Sequence, residues 1–160
     1  IIFDDTIANN ISMWNTNPEA NNDKQKLAII NAAKQANIFE FIQTLPQGIN
    51  TRVGDRGILL SGGQKQRLFI ARELYRRPKV LILDEATSSL DSESEKYIQN
   101  SIESLHGQIT LIIIAHRLST IKNVDIIHLI DNGKLIVSGT YDQLIKNESK
   151  FKRLVDLQKL

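Results

Sequence analysis

"VLILDEATSSLD", residues Val80 to Asp91, is the stretch on which the fold turns. Four consecutive apolar residues, Val80 to Leu83, run into the carboxylates of Asp84 and Glu85. A short apolar run of this kind predicts a strand buried on both faces, as in a parallel sheet. Carboxylates at the carboxyl end of such a strand lie where α/β folds place their ligands. Asp84 is therefore a candidate to hold Mg²⁺, which prefers oxygen donors and keeps several waters. Glu85 points to the other side of the chain and is a candidate to orient or deprotonate an attacking water. The bland alternative is a polar strand end leading into a helix. Asp91 then serves as the helix cap, a task that Ser92 could also perform.

Outward from this stretch the pattern alternates. Ser92 and Glu95 have the spacing of a capping box, followed by a helix with Ile98, Ile102 and Leu105 inside. "TLIIIA" (Thr110 to Ala115) reads as a second buried strand. "DIIHLI" and "KLIVSG" flank Asp131-Asn132-Gly133, a hairpin signal, and two short amphipathic helices follow. Upstream, Thr6 can cap a short helix through Ile11. Leu27, Ile30, Ala33 and Lys34 begin a helical face continued by Ile38, Phe41 and Ile42, which Pro46 and Gly48 end. "QKQRLFIARELYRR" (Gln64 to Arg77) is helical, with Leu68, Ala71, Leu74 and Tyr75 on one face, and Pro78 stops it. Strand, helix, strand and an edge hairpin predict an α/β fold with a mainly parallel sheet.

Just before the Gln64 helix stands "LSGGQKQR", Leu60 to Arg67. Free amides at a helix N-terminus and the helix dipole favour an anion. Gly62 and Gly63 let the backbone approach an oxygen with no Cβ in the way. Ser61 adds a hydroxyl. The plainer reading is a flexible turn with a serine cap. His116, after the second strand, can donate a hydrogen bond to a terminal phosphate oxygen, or simply cap the strand end. His106 and His128 read as structural. Asp55, in "TRVGDRG" (Thr51 to Gly57), reads as part of a solvated turn.

The chain's 160 residues suffice for one domain with a core. The net charge of +2 is too small to argue for nucleic acid. Lys65, Arg67, Arg72, Arg76 and Arg77 recur along one helix and read as a solvated face. With no cysteine there is no disulfide and no thiolate metal site. The apolar runs are far shorter than the roughly 20 residues a membrane helix needs.

In this order, Leu60 to Gln64, Val80 to Glu85, Ser89-Leu90-Asp91 and His116 resemble the nucleotide-binding domain of ATP-binding-cassette (ABC) transporters. "LFIAREL", "LILDEATSSLDSESE", "IIIAHRLSTIKNVD" and the tail "DNGKLIVSGTYDQLIKNESKFKRLVDLQ" resemble its exporter branch, and the likeness covers essentially the whole chain. It implies a P-loop NTPase fold, with residues 1 to about 75 forming a helical subdomain and signature helix. Residues from about 76 to 160 would form the RecA-like core. It implies ATP and Mg²⁺ as ligands. Leu60, Ser61, Gly62, Gly63 and Gln64 would be the signature motif and Asp84 the metal-associated carboxylate. Glu85 would be the catalytic base, Asp91 the D-loop aspartate and His116 the switch histidine on the γ-phosphate. Asp55 stands where exporters usually carry glutamate, near the coupling helices of the membrane domain.

No G-x-x-x-x-G-K-[ST] phosphate loop occurs in the chain. That loop, the adenine-stacking aromatic and the glutamine-loop residue are all expected upstream, so the chain reads as the C-terminal part of a longer protein. The resemblance implies a head-to-tail dimer in which the signature of one domain closes over ATP held by the other. It also implies a transmembrane domain fused upstream, no nucleic acid, and a place on the cytoplasmic face of the membrane. An alternative is a signature-bearing ATPase of the chromosome-maintenance or DNA-repair type, which sustained heptads upstream would mark. Another is a non-catalytic partner that supplies only the signature side.

Overall fold

Thr6 starts the first helix by turning its side chain back on the chain. The computed structural model describes residues 1–15, 22–55, 57–84, 91–115 and 117–157. Strand β1 (Asp5–Thr6) leads into helix α1 (Ile7–Ser12), where Thr6 Oγ1 accepts the Asn9 N–H at 3.1 Å. Helices α2 (Asn22–Gln35) and α3 (Phe39–Thr44) follow. Between them Asn37 adopts a left-handed φ of 51°, so the expected helical face from Leu27 to Ile42 is broken in two. Its register also differs from expectation. Leu27 is 58% exposed, while Ile29, Ala32, Ala33 and Ala36 are buried. Small alanines let α2 lie close against helix α4, and that contact selects the buried face. A single 3₁₀ turn then leads to strand β2 (Arg52–Val53), which pairs antiparallel with β1.

Helix α4 (Gly62–Tyr75) is the hub of this part and packs against α1 and α2 through Leu68, Ile70, Ala71 and Leu74. Strand β3 (Val80–Asp84), helix α5 (Ser92–Leu105) and strand β4 (Thr110–Ile114) follow as the sequence predicts. The Thr110 N–H donates to Lys79 O at 2.9 Å. That bond joins the start of one strand to the start of the other, so β3 and β4 lie side by side in the same direction. Their burial alternates. Leu81 and Leu83 enter the core, but Val80 (51%) and Ile82 (62%) stand exposed, as do Ile112 and Ile114. The expectation of strands covered on both faces therefore does not hold among the described residues. Successive strand side chains point to opposite faces, and only one face here has α5 and its neighbours to pack on.

By compactness the chain divides into Ile1–Ile113 and Ile114–Leu160. In the second unit, helix α6 (Leu118–Ile121) precedes the hairpin of β5 (Ile127–Asp131) and β6 (Lys134–Gly139), paired antiparallel as expected. Asn132 and Gly133 make the turn. Helices α7 (Tyr141–Asn147) and α8 (Ser149–Leu157) close a small core of Ile127, Leu144, Phe151 and Val155, with Tyr141 edge-on to Phe151. A capping box between Thr140 and Gln143 starts α7.

Candidate functional site

The Ser61–Gln64 turn is built by reciprocal capping. Ser61 Oγ accepts the Gln64 N–H at 3.2 Å, and Gln64 Oε1 accepts the Ser61 N–H at 2.9 Å. The serine-cap reading is thus correct, and it leaves the anion-site reading intact. A hydroxyl that accepts one bond still has a proton to donate. The amides of Gly62 and Gly63 sit in the first turn, where α-helices leave N–H groups without intrahelical partners. Leu60 is buried beneath the turn, whereas Ser61 and Gly62 are exposed. The exposed polar atoms therefore stand on a fixed apolar anchor.

Gly63 is buried because it faces the first turn of α5. A Cβ placed on it would lie 2.5 Å from Ser94 Cβ and closer still to Ser94 Oγ. Ser94 in turn binds Asp91, with its N–H donating to Oδ1 and its Oγ to Oδ2, both at 2.9 Å. Asp91, not Ser92, is the N-cap of α5. The Ser92–Glu95 capping box expected from spacing is replaced by Asp91, whose carboxylate takes one helix-end amide and the Ser94 hydroxyl together. These bonds hold the Asp91 carboxyl below its ordinary value. The structure thereby brings the Gly63 turn and Asp91 together through a residue that sequence reasoning missed. The signal for it was present in the Asp-x-x-Ser spacing.

Two of the five arginines and lysines read as a solvated face are buried instead. Arg67 is 7% exposed and Arg72 is 8% exposed. Arg67 Nε donates to Gly63 O at 3.3 Å and Nη1 to Asn37 O at 3.0 Å, with the guanidinium 4.4 Å over the Tyr97 ring. Asn37 in turn donates to Tyr97 O and Ser101 Oγ. Arg72 donates from Nε to Asn10 O at 2.7 Å, from Nη2 to Asn10 Oδ1 at 3.2 Å, and from Nη1 to Ile1 O at 3.2 Å. Burial lowers both guanidinium values from their ordinary range. Each buried charge is tolerated because backbone carbonyls and aromatic faces surround it. No sequence period marks these arginines as buried, since acceptors such as Asn37 O and Asn10 O come from distant segments.

Asp84 ends β3 on the exposed side. Its hard carboxylate oxygen suits Mg²⁺, which takes one or two carboxylates and completes its shell with phosphate oxygens and water. Glu85 and His116 lie outside the described residues. His106 ends α5, and His128 Nδ1 lies 2.7 Å from Ser138 Oγ on the hairpin. Beside the turn lies a groove of about 340 Å³ bordered by Ile1, Ile2, Asp55, Leu60, Lys65 and Phe69. Asp55 therefore shares a concavity with the root of the glycine turn. No helix among the described residues is long and apolar enough to cross a membrane.

Comparison with known proteins bears on the family and the fold. A family model described as "ABC transporter" matches residues 3–88. The chain is 47% identical over 160 residues to the ABC-type transporter fsqE of Aspergillus fumigatus, a match covering 100% of this chain and 12% of that protein. It is 48% identical over 157 residues to the ATP-dependent lipid A-core flippase of Idiomarina loihiensis, covering 98% of this chain and 26% of the flippase. A solved bacterial Atm1-family ABC exporter with ATP bound matches at a TM-score of 0.82 and 39% identity, over 100% of this chain and 27% of that one. The chain spans roughly a quarter or less of the length of these relatives.

Proposed function

Because the chain belongs to the ABC transporter family, with an incomplete P-loop NTPase fold of the ABC ATPase type, we propose that it is the signature-bearing part of an ATPase domain that powers a membrane exporter. The observation that carries this reading is the capped Ser61–Gln64 turn, which offers two glycine amides and a hydroxyl at the head of a 14-residue helix. The relatives' names point to exporters and flippases rather than to DNA clamps. The residues before about 76 would form the helical subdomain and signature helix, and the later ones the core. The exposed apolar side chains of Val80, Ile82 and Ile112 support incompleteness, since such a face needs cover.

In this reading Leu60 to Gln64 close over ATP held by a neighbouring domain in a head-to-tail dimer. The amides of Gly62 and Gly63 and the Ser61 hydroxyl address phosphate oxygens, where preorganised donors count most. Asp84 would hold Mg²⁺ at the nucleotide of its own subunit. The ion, when bound, neutralises charge on the phosphate oxygens. Glu85 orients a water and takes its proton as the oxygen attacks the γ-phosphorus and the bond to ADP breaks. His116 donates to a γ-phosphate oxygen, and Asp91 addresses the neighbouring half. Asp55 and its groove would receive the coupling helices of a membrane domain, fused upstream or supplied by a partner, which keeps this domain at the cytoplasmic face. Amides and a hydroxyl alone, without a phosphate-loop lysine, do not retain a triphosphate, so the isolated chain is expected to be inactive.

The test is Glu85→Gln in the full-length protein. ATP binding should persist while turnover disappears. Near-normal hydrolysis in that variant would remove the base assignment.

A further inference from the structure

One side chain stands between the glycine turn and Asp91. Ser94 lies in the first turn of α5 and is 8% exposed. Its Oγ–H is committed to Asp91 Oδ2, and its Cβ fills the space beside Gly63. The heads of α4 and α5 thus meet with bare backbone on one side and a single small side chain on the other. Arg67 braces the same junction, bonded to Gly63 O and lying over Tyr97 of α5.

We infer that Ser94 is a positioning residue that keeps the Ser61–Gln64 turn and Asp91 in fixed register, so that the element closing over one nucleotide and the residue addressing the neighbouring half move as one. The inference rests on the signature assignment made above. Its physical basis is that neither element can shift alone. Moving the turn toward α5 drives Gly63 into Ser94, and moving it away opens a gap at a buried hydroxyl. Swinging Asp91 away breaks both of its bonds to Ser94, including the one that caps α5.

The experiment measures ATP hydrolysis against ATP concentration in the full-length protein, comparing wild type with Ser94→Ala. The methyl side chain keeps Cβ and the backbone cap but removes the bond to Oδ2. Loss of register is expected to lower kcat about tenfold. KM should stay within about twofold, because first binding of ATP relies on the phosphate loop. Thermal unfolding should move little. The double variant D91A/S94A should be no slower than D91A alone, as required if Ser94 acts through Asp91. Wild-type kcat in Ser94→Ala, additive losses in the double variant, or a loss of kcat that merely tracks unfolding would each overturn the inference. Ser94→Cys, which keeps bulk and weakens the hydrogen bond, is read by the same criteria if the alanine variant does not fold. Gly62→Asp is the control for the underlying assignment. Gly62 is exposed, and the substitution adds a negative charge where the turn is assigned to meet phosphate. If that variant hydrolyses ATP normally, the signature assignment fails and this inference with it. If it is inactive while Ser94→Ala turns over normally, only this inference fails.

Discussion

Ser94 occupies the space that any side chain at position 63 would need. Gly63→Ala sets two effects against each other. Alanine favours a helix over glycine by up to about 1 kcal/mol, whereas overpacking a filled site costs about 1–3 kcal/mol. Net destabilisation of roughly 1 kcal/mol is expected. Ser94→Gly removes both offending atoms and leaves Ser94 Cα, at 3.6 Å, as the nearest, an ordinary contact. In a urea-unfolding double-mutant cycle the pair should therefore be more stable than the sum of the single changes. Additive values would show that the two positions do not touch.

Arg72 holds the start of the chain to α4. Arg72→Ala removes three hydrogen bonds to carbonyl and amide oxygens and leaves a buried gap. A loss of about 3 kcal/mol is expected. Arg72→Lys should stay below wild type, because one ammonium does not span acceptors arranged for a planar fork. Urea midpoints of the two variants check both expectations. An alanine variant within 0.5 kcal/mol of wild type, about the scatter of surface substitutions, would contradict this role.

Ser61 has two roles that substitution separates. As a cap it should lose about 1 kcal/mol on change to alanine but only a few tenths on change to glycine. As a phosphate donor it should lose the same function in both variants. Equal defects in ATP hydrolysis for Ser61→Ala and Ser61→Gly, with unequal stability, are expected in the full-length protein. Thr140→Ala, which breaks the corresponding box at α7, should cost similar stability and leave hydrolysis unaffected. Full activity in Ser61→Gly would leave Ser61 with capping alone.

Asp91 makes the head of α5 sensitive to acid. Its bonds to the Ser94 N–H and Oγ lower its value in the folded chain below the ordinary 3.8. The stabilisation is fully present above 3.8 and is lost as pH falls through the lower folded value. Asp91→Asn keeps an oxygen for the Ser94 amide and does not titrate there, so it should remove that sensitivity. Amide exchange in the first turn of α5, followed from neutral pH to below 3.8, checks it. An unchanged acid profile in the variant would assign the effect elsewhere. Asp5, also lowered by its bond to the Thr6 amide, serves as the internal reference.

Elements with strong local signals were legible in the chain. The α4 face of Leu68, Ala71 and Leu74, the Thr6 cap and the Asn132-Gly133 hairpin all stand where residue types place them. The face of α2 was not, because its core contacts are alanines, and alanine carries little hydrophobic contrast. Its burial follows from the close approach of α4 and not from its own period. Arg67 and Arg72 were misread for a related reason. A charge in a sequence looks solvated until its acceptors are known, and Asn10 O lies 62 residues from Arg72.

The sequence by itself determined the order of elements, the family resemblance and the identity of the candidate site residues, because these depend on local propensity and on motifs of adjacent residues. Tertiary structure alone decided that Ser94 fills the space at Gly63, that Arg67 lies buried between the glycine turn and Tyr97, and that Arg72 lies buried against Asn10 and Ile1. Those facts depend on which surfaces meet in space, and packing chooses among partners that a linear pattern leaves equivalent.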